Sequence, residues 1–296
     1  MKTKTLIFLC LSLTASLFPS CEKAGTQTPG PASLHHSIQI KGSDTMVNLG
    51  QAWVEGYMQE HPQAFVAVTG GGSGTGIAAL LSGTCDIAET SRTMKSKELK
   101  QAAEKGVKPV EFVVAMDGLA VVVNPKNPLD RLTVNELADI FTGKIRNWKE
   151  VGGHDLPIVL LSREVNSGTH VYFKEHVLRQ GDEKRPEEFD EGALLMPSSQ
   201  AVADEIAQNP NAIGYYGVGY SNPTQKALAV AQDKNSPYYL PTLENIMDGK
   251  YYISRPLLMY TNGQPQGTVK DFIDFVLSKE GQEIVRQVDF VPVPQR

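Results

Sequence analysis

Cysteine is scarce in this chain: three in 296 residues, at positions 10, 21 and 85, so no disulfide framework is available to the folded part. Cys85, close to Ile87 and Ala88, reads as a small buried hydrophobe. Long apolar runs are missing too. The apolar stretch from Leu6 to Leu17 is too short and wrongly flanked to span a membrane. Positive charge is in deficit, with 28 Lys and Arg against 33 Asp and Glu, a net charge of −5. No basic stripe offsets that deficit, which argues against a nucleic-acid partner. Any anion pocket must therefore work through local groups rather than through the field of the whole surface. What remains, 41% hydrophobic and 21% charged residues, is an ordinary globular composition, long enough for two domains.

Lys2 and Lys4, the apolar stretch and then Phe18-Pro19-Ser20-Cys21 have the layout of a secretory signal over residues 1–20. A cysteine just after the cleavage point resembles a bacterial lipoprotein signal, with Cys21 as the lipidated N-terminus. Phe18 and Pro19 stand where the usual box has an aliphatic and a small residue, so plain secretion is the alternative. Removing the signal takes away two lysines and brings the net charge to −7. Residues 21–37 are rich in Gly, Pro, Thr and Ser without apolar periodicity, and read as a flexible tether.

From Ile38 onward one unit recurs: a short apolar strand, a polar turn, then a helical face. Ile38 and Ile40 lead to Gly42-Ser43-Asp44-Thr45, followed by Met46, Leu49, Trp53 and Tyr57 at helical spacing. Phe65 to Thr69 leads to a glycine-rich turn, Gly70 to Gly76, and a helix from Ile77 to Leu81. Ile158 to Leu161 leads through Arg163 to Ser167-Gly168-Thr169 and a face of Tyr172, Phe173, His176 and Val177. Between them, Val110 to Ala115 and Leu119 to Val123 read as two buried strands separated by Asp117-Gly118. Ser199 to Gln208 reads as an amphipathic helix, Tyr251 to Tyr260 as a strand, and Val269 to Val288 as one final helix. This alternation predicts an α/β protein with mostly parallel sheets, whose ligands gather at the carboxyl ends of strands.

The three turns put Ser43 and Thr45, then Ser73 and Gly74, then Ser167, Gly168 and Thr169 at helix starts, where hydroxyl and backbone donors suit a tetrahedral oxyanion. Arg163 adds a fork able to hold two oxygens. Any one of these residues alone reads equally well as a helix cap. Catalytic templates fail. Ile77 occupies the lysine position of a nucleotide P-loop, and neither the Gly-x-Ser-x-Gly elbow nor the dinucleotide fingerprint is intact. His170 and His176 are six residues apart, do not share a helix face, and read as packing or surface residues. No catalytic residue, metal site or cofactor is expected.

Taken together, Gly42-Ser43-Asp44-Thr45, Gly72-Ser73-Gly74-Thr75, Asp86-Ile87-Ala88 with Ser91-Arg92, and Arg163-x-x-x-Ser167-Gly168-Thr169 resemble the phosphate-binding protein family of bacterial phosphate ABC transporters. The resemblance spans residues 38–296 and implies a two-lobed periplasmic-binding-protein-like fold (type II), with ligand in the inter-lobe cleft. It implies one lobe of residues 38–118 plus 255–296 and a second of residues 119–254. The phosphate ligands it implies are Thr45, Met46 through its backbone, Ser73, Arg163, Ser167, Gly168 and Thr169, to which Ser43, Ser91 and Arg92 are added as neighbours in the same turns. Ser91 departs from members with an aspartate there, which accepts the phosphate proton; Asp44 is a candidate substitute or simply a helix cap. The expected partners are inorganic phosphate, a membrane ABC permease and, through lipid, the membrane itself, for an exported monomer. The alternatives are an extracytoplasmic phosphoryl-transfer or phosphatase-like enzyme, for which neither nucleophile nor metal site is found, and a surface interaction protein that has kept the fold.

Overall fold

The computed structural model describes residues 37–294, so the signal, Cys21 and nearly all of the tether lie outside the described residues. The first half is built from β1 (Ile38–Gly42), α1 (Val47–Glu60), β2 (Val66–Thr69), α2 (Ser73–Leu81), β3 (Ile87–Thr90) and α3 (Ser96–Glu104). In α1 the four-residue spacing of Leu49, Trp53 and Tyr57 makes one buried face. Burying each of those side chains stabilises the fold by about 1.5–3 kcal/mol. β1 pairs parallel with both β2 and β3.

β4 (Pro109–Val123) is one continuous strand where the sequence suggested two. Asp117-Gly118 does not break it, because the Asp117 carboxylate is neutralised internally and glycine leaves room for Ile246, whose Cδ1 would lie 2.5 Å from an added Cβ. At this point the strand changes partners. Residues 109–118 pair with β11 (Ser254–Asn262), and residues 119–123 pair with β8 (Ala212–Gly217).

The second half contains β5 (Arg131–Thr133), α4 (Val134–Phe141), β6 (Val159–Arg163), α5 (Gly168–Phe173), β7 (Leu194–Met196), α6 (Ser199–Gln208) and β8. Then follow β9 (Lys226–Ala227), β10 (Ala229–Ala231) and α7 (Leu243–Met247), and after β11 the helices α8 (Gly267–Leu277) and α9 (Lys279–Gln287). The sheet order is β2-β1-β3-β11-β4-β8-β6-β7. Its flanks are parallel as expected, but β11 is antiparallel to both β3 and β4, and β4 is antiparallel to β8. β3 and β4 therefore run the same way, and β11, returning from the far half, fills the slot between them.

The last helical segment is also two helices rather than one. Ser278 is extended at ψ 171°, and its hydroxyl caps α9 by accepting from the Gly281 N–H at 3.1 Å. A Cβ on Gly281 would lie 2.1 Å from the Phe275 carbonyl, so the corner is packed backbone to backbone. Trp53 Nε1 donates to the Gly281 carbonyl at 2.8 Å and ties α9 to α1. No helix among the described residues is long and apolar enough to cross a membrane.

Glu89 on β3 is 1% exposed, points at Gly50 of α1, and has no hydrogen-bond partner for Oε1 among the described residues. Burial pushes its carboxyl up to about 8. Because the folded pKa lies above the usual 4.5, the stability held by the neutral acid is complete below pH 4.5 and is lost as pH rises through about 8. In urea unfolding at pH 5 and pH 9, Glu89→Gln is expected to lose less stability over that interval than the parent, by on the order of 3–5 kcal/mol. Identical pH slopes for the two proteins would show that Glu89 titrates normally.

Candidate functional site

The polar turns lie where β1, β2, β3 and β6 end. Gly42 closes β1 at φ 147°, and a side chain there would place Cβ 2.0 Å from the Glu89 carbonyl, so only glycine lets β1 and β3 approach. The Ser43 N–H donates to that same carbonyl at 2.8 Å. Residues 44–46 then form a single 3-10 turn that buries Thr45 and Met46. Gly71 and Gly72, both at positive φ, deliver the chain to Ser73 at the first position of α2. Ser167 caps α5, accepting from the N–H groups of Thr169 at 3.2 Å and His170 at 3.4 Å.

These turns make one buried cluster. Thr45 Oγ1 and Thr169 Oγ1 are 2.9 Å apart, although 124 residues separate them in the chain. Ser73 Oγ accepts from the Ser91 N–H at 3.0 Å and lies 3.3 Å from Ser91 Oγ. A Cβ on Gly168 would stand 2.3 Å from Ser73 Oγ and 2.6 Å from Ser91 Oγ. The Gly74 N–H is spent on the Asn166 carbonyl at 3.0 Å, and Asn166 Nδ2 donates to the Gly71 carbonyl at 2.9 Å. The glycine turn is therefore clasped by the loop before α5.

Arg163 is 1% exposed and its fork is used within the protein. Nη2 donates to Asp44 Oδ2 at 2.8 Å and the Pro197 carbonyl at 3.2 Å, Nη1 to Ser199 Oγ at 3.1 Å, and Nε to the Met196 carbonyl at 3.2 Å. Burial lowers its pKa, opposed by Asp44. Asp44 is not a helix cap: its other oxygen accepts from the Gly71 N–H at 2.9 Å, and Tyr220 donates to its backbone carbonyl at 2.6 Å. Arg92 makes its bidentate contact with Glu98, at 2.8 and 2.7 Å, and leaves Nε without a partner. Burial raises the Glu98 pKa, but the bonds from Arg92 and the Lys95 N–H outweigh it and hold the carboxyl below its usual range.

Two residues that the sequence reading did not select belong to the cluster. Arg255 donates to Asp117 Oδ2 from Nε at 3.0 Å and Nη2 at 2.8 Å, and Nη2 also reaches Thr45 Oγ1 at 3.3 Å and Thr169 Oγ1 at 3.0 Å. Asp117 Oδ1 accepts from the Val218 N–H at 3.0 Å. Burial raises the Asp117 pKa against the pull of Arg255 and that N–H. The available signal was one acid and one arginine, each alone inside an apolar strand. A cavity of about 670 Å³, lined by Arg92, Lys95, Tyr172, His176 and Arg255 among others, opens beside the cluster.

His170 is a packing residue and His176 lies at the surface. His170, 6% exposed, hydrogen-bonds Ser162 at 3.3 Å, and burial lowers it to about 4. Ser162 is fully buried and also bonds the Tyr215 hydroxyl at 2.8 Å, a structural network rather than an exposed nucleophile. The His176 ring stacks on Tyr172 with centroids 3.7 Å apart. Among the described residues no group of three His, Cys, Asp or Glu is arranged to hold a metal ion.

Residues 25–280 match the model of the PBP superfamily domain. The chain is 33% identical over 277 residues to the phosphate-binding protein PstS of Pseudomonas aeruginosa PAO1, covering 88% of this chain and 84% of that protein. It is 32% identical over 300 residues to PstS of Bacillus subtilis 168, covering 99% and 95%. Among solved structures, a putative phosphate ABC transporter substrate-binding protein with bound phosphate from Clostridium perfringens matches at 33% identity and a TM-score of 0.77, over 87% of this chain and all of that one.

Gly168→Ala is expected to force the turns apart. Ser73 can move aside only by giving up its bond from the Ser91 N–H, so a stability loss of about 1–3 kcal/mol in urea unfolding should accompany at least a tenfold loss of oxyanion affinity. Unchanged affinity would place the Ser73–Gly168 contact outside the site.

Proposed function

The chain belongs to the PBP superfamily and, within it, to the PstS phosphate-binding proteins, and from this we propose that it captures inorganic phosphate outside the cytoplasm and delivers it to a membrane ABC importer. The observation that carries the reading is the buried meeting of Thr45, Ser73, Ser91, Ser167, Gly168 and Thr169 beside Arg163. Such a cluster is rich in donors and has its carboxylates already engaged, which suits a dianionic ligand. Thr45, the Met46 backbone, Ser73, Arg163 and Ser167–Thr169 are the proposed ligands, with Ser43 and Ser91 beside them. Arg92 is proposed as a more distant contributor, because Glu98 already occupies its fork.

Within the reading, residues 38–118 with 255–296 form one lobe and 119–254 the other, and the lobes close by bending at the strand crossings. The exchange of β4 partners between Gly118 and Leu119 supports that boundary. The protein acts as a monomeric receptor without catalysis, held to a membrane by lipid on Cys21 through the tether.

Selectivity is the sharper question, since Asp44 is committed to Arg163 and Gly71. With both Asp44 oxygens engaged rather than free to repel a fully ionised anion, discrimination against sulfate rests on hydroxyl geometry and is weaker than a carboxylate would give. Calorimetric titration is expected to show phosphate binding at micromolar or tighter Kd, with sulfate weaker by about 10–100-fold. Absence of phosphate binding overturns the reading, and turnover of a chromogenic phosphate ester would favour an enzyme instead. Arg163→Ala should weaken phosphate by at least tenfold, since it removes a buried charge and leaves Asp44 unpaired. In cells, Cys21→Ala is expected to move the protein from the membrane fraction to the soluble extracytoplasmic fraction; continued membrane retention would exclude lipid at this position.

A further inference from the structure

We propose that Arg255 is a positioning residue that orders the hydroxyls of Thr45 and Thr169 so that one of the pair presents its hydrogen to the ligand, giving the site a donor end and leaving the proton of hydrogen phosphate to the Ser73–Ser91 end. The proposal rests on the phosphate reading above.

Arg255 is held from two sides, and its Nη1 has no hydrogen-bond partner among the described residues. Asp117 takes Nε and Nη2, the Tyr172 ring centroid lies 5.5 Å from Cζ, and the side chain is fully buried, as is that of Asp117. Tyr172 is itself fixed, stacked on His176 and hydrogen-bonded through its hydroxyl to the Ser254 carbonyl. The guanidinium therefore has little freedom to leave Thr45 and Thr169, which its Nη2 reaches at 3.3 and 3.0 Å.

A guanidinium has no acceptor, so in both contacts the threonine oxygen accepts. The two hydroxyls are also 2.9 Å from each other, and one must donate to the other. The receiving oxygen then accepts twice, and its own hydrogen points away from both partners. That outward hydrogen is polarised by the cation behind it, which strengthens it as a donor to an oxyanion. The same cation makes this end a poor place for a P–OH hydrogen. At the other end Ser73 Oγ accepts from a neutral backbone N–H, and among the described residues Ser91 Oγ has only the Ser73 hydroxyl as partner, at 3.3 Å. Ser91 Oγ thus keeps lone pairs for the ligand's proton.

The experiment is phosphate titration of the parent, Arg255→Lys, Thr169→Val and the double variant, with folding checked by circular dichroism. Lysine keeps the charge and can pair with Asp117, but cannot serve both threonines. Arg255→Lys should weaken phosphate roughly tenfold or more in the parent background and no more than about threefold in the Thr169→Val background. Equal losses in both backgrounds mean that Arg255 acts through general stability and overturn the proposal. A parent that fails to bind phosphate removes the functional reading instead. Should the lysine variant not fold, the guanidinium 15N–1H signals of Arg255 in the unaltered protein decide the matter: they are expected to shift on adding phosphate, and signals that do not move overturn the proposal.

Discussion

The cross-strand pair of Asp117 and Arg255 is the interaction on which the rest of the molecule depends. The two residues face each other directly in the β4–β11 ladder, one residue before β4 exchanges one partner strand for another. An unpaired charge at a fully buried crossing would cost several kcal/mol, so neither residue is dispensable without the other. The pair also orders the buried cluster, because the guanidinium that neutralises Asp117 bonds threonines from a turn after β1 and from the start of α5. One buried charge thus ties the strand crossing to two of the polar turns.

Three acids, two buried and one half-buried, show two solutions to one electrostatic problem. Asp117 shares an oxygen with Arg255 and takes a backbone N–H on the other. Asp44 does the same with Arg163 and Gly71, joining three turns through one carboxylate. Glu89 has no cation and is pushed toward its neutral form. The two paired acids have their oxygens engaged, and the third is held mainly neutral near pH 7. A chain with net negative charge can hold an anion in this way, through local arrangement rather than its overall field.

Much of the fold was legible because strands, turns and helices follow from spacing within a few residues. Leu49, Trp53 and Tyr57 on one face and the Ser199–Gln208 helix stand where the periodicity placed them, while α2 begins at Ser73, inside the glycine turn, rather than at Ile77. The misses were at junctions whose outcome is set by distant contacts. Asp117-Gly118 looks like a turn until Arg255, 138 residues away, makes the acid compatible with a continuous strand. Ser278 looks like a helix interior until the packing of Gly281 against Phe275 makes it a corner.

By itself the sequence determined the residue types of the three polar turns, the strand, turn and helix order, and the absence of a P-loop lysine, since each depends on neighbours in the chain. Only the tertiary structure decided which donors are spent and which stay available. Arg163 turns to Asp44, Arg92 to Glu98 and the Gly74 N–H to Asn166, while Arg255 joins a buried cluster it had no local reason to enter. A hydroxyl, amide or guanidinium accepts whichever complementary group lies within about 3 Å, and that neighbour is chosen by folding rather than by chain order.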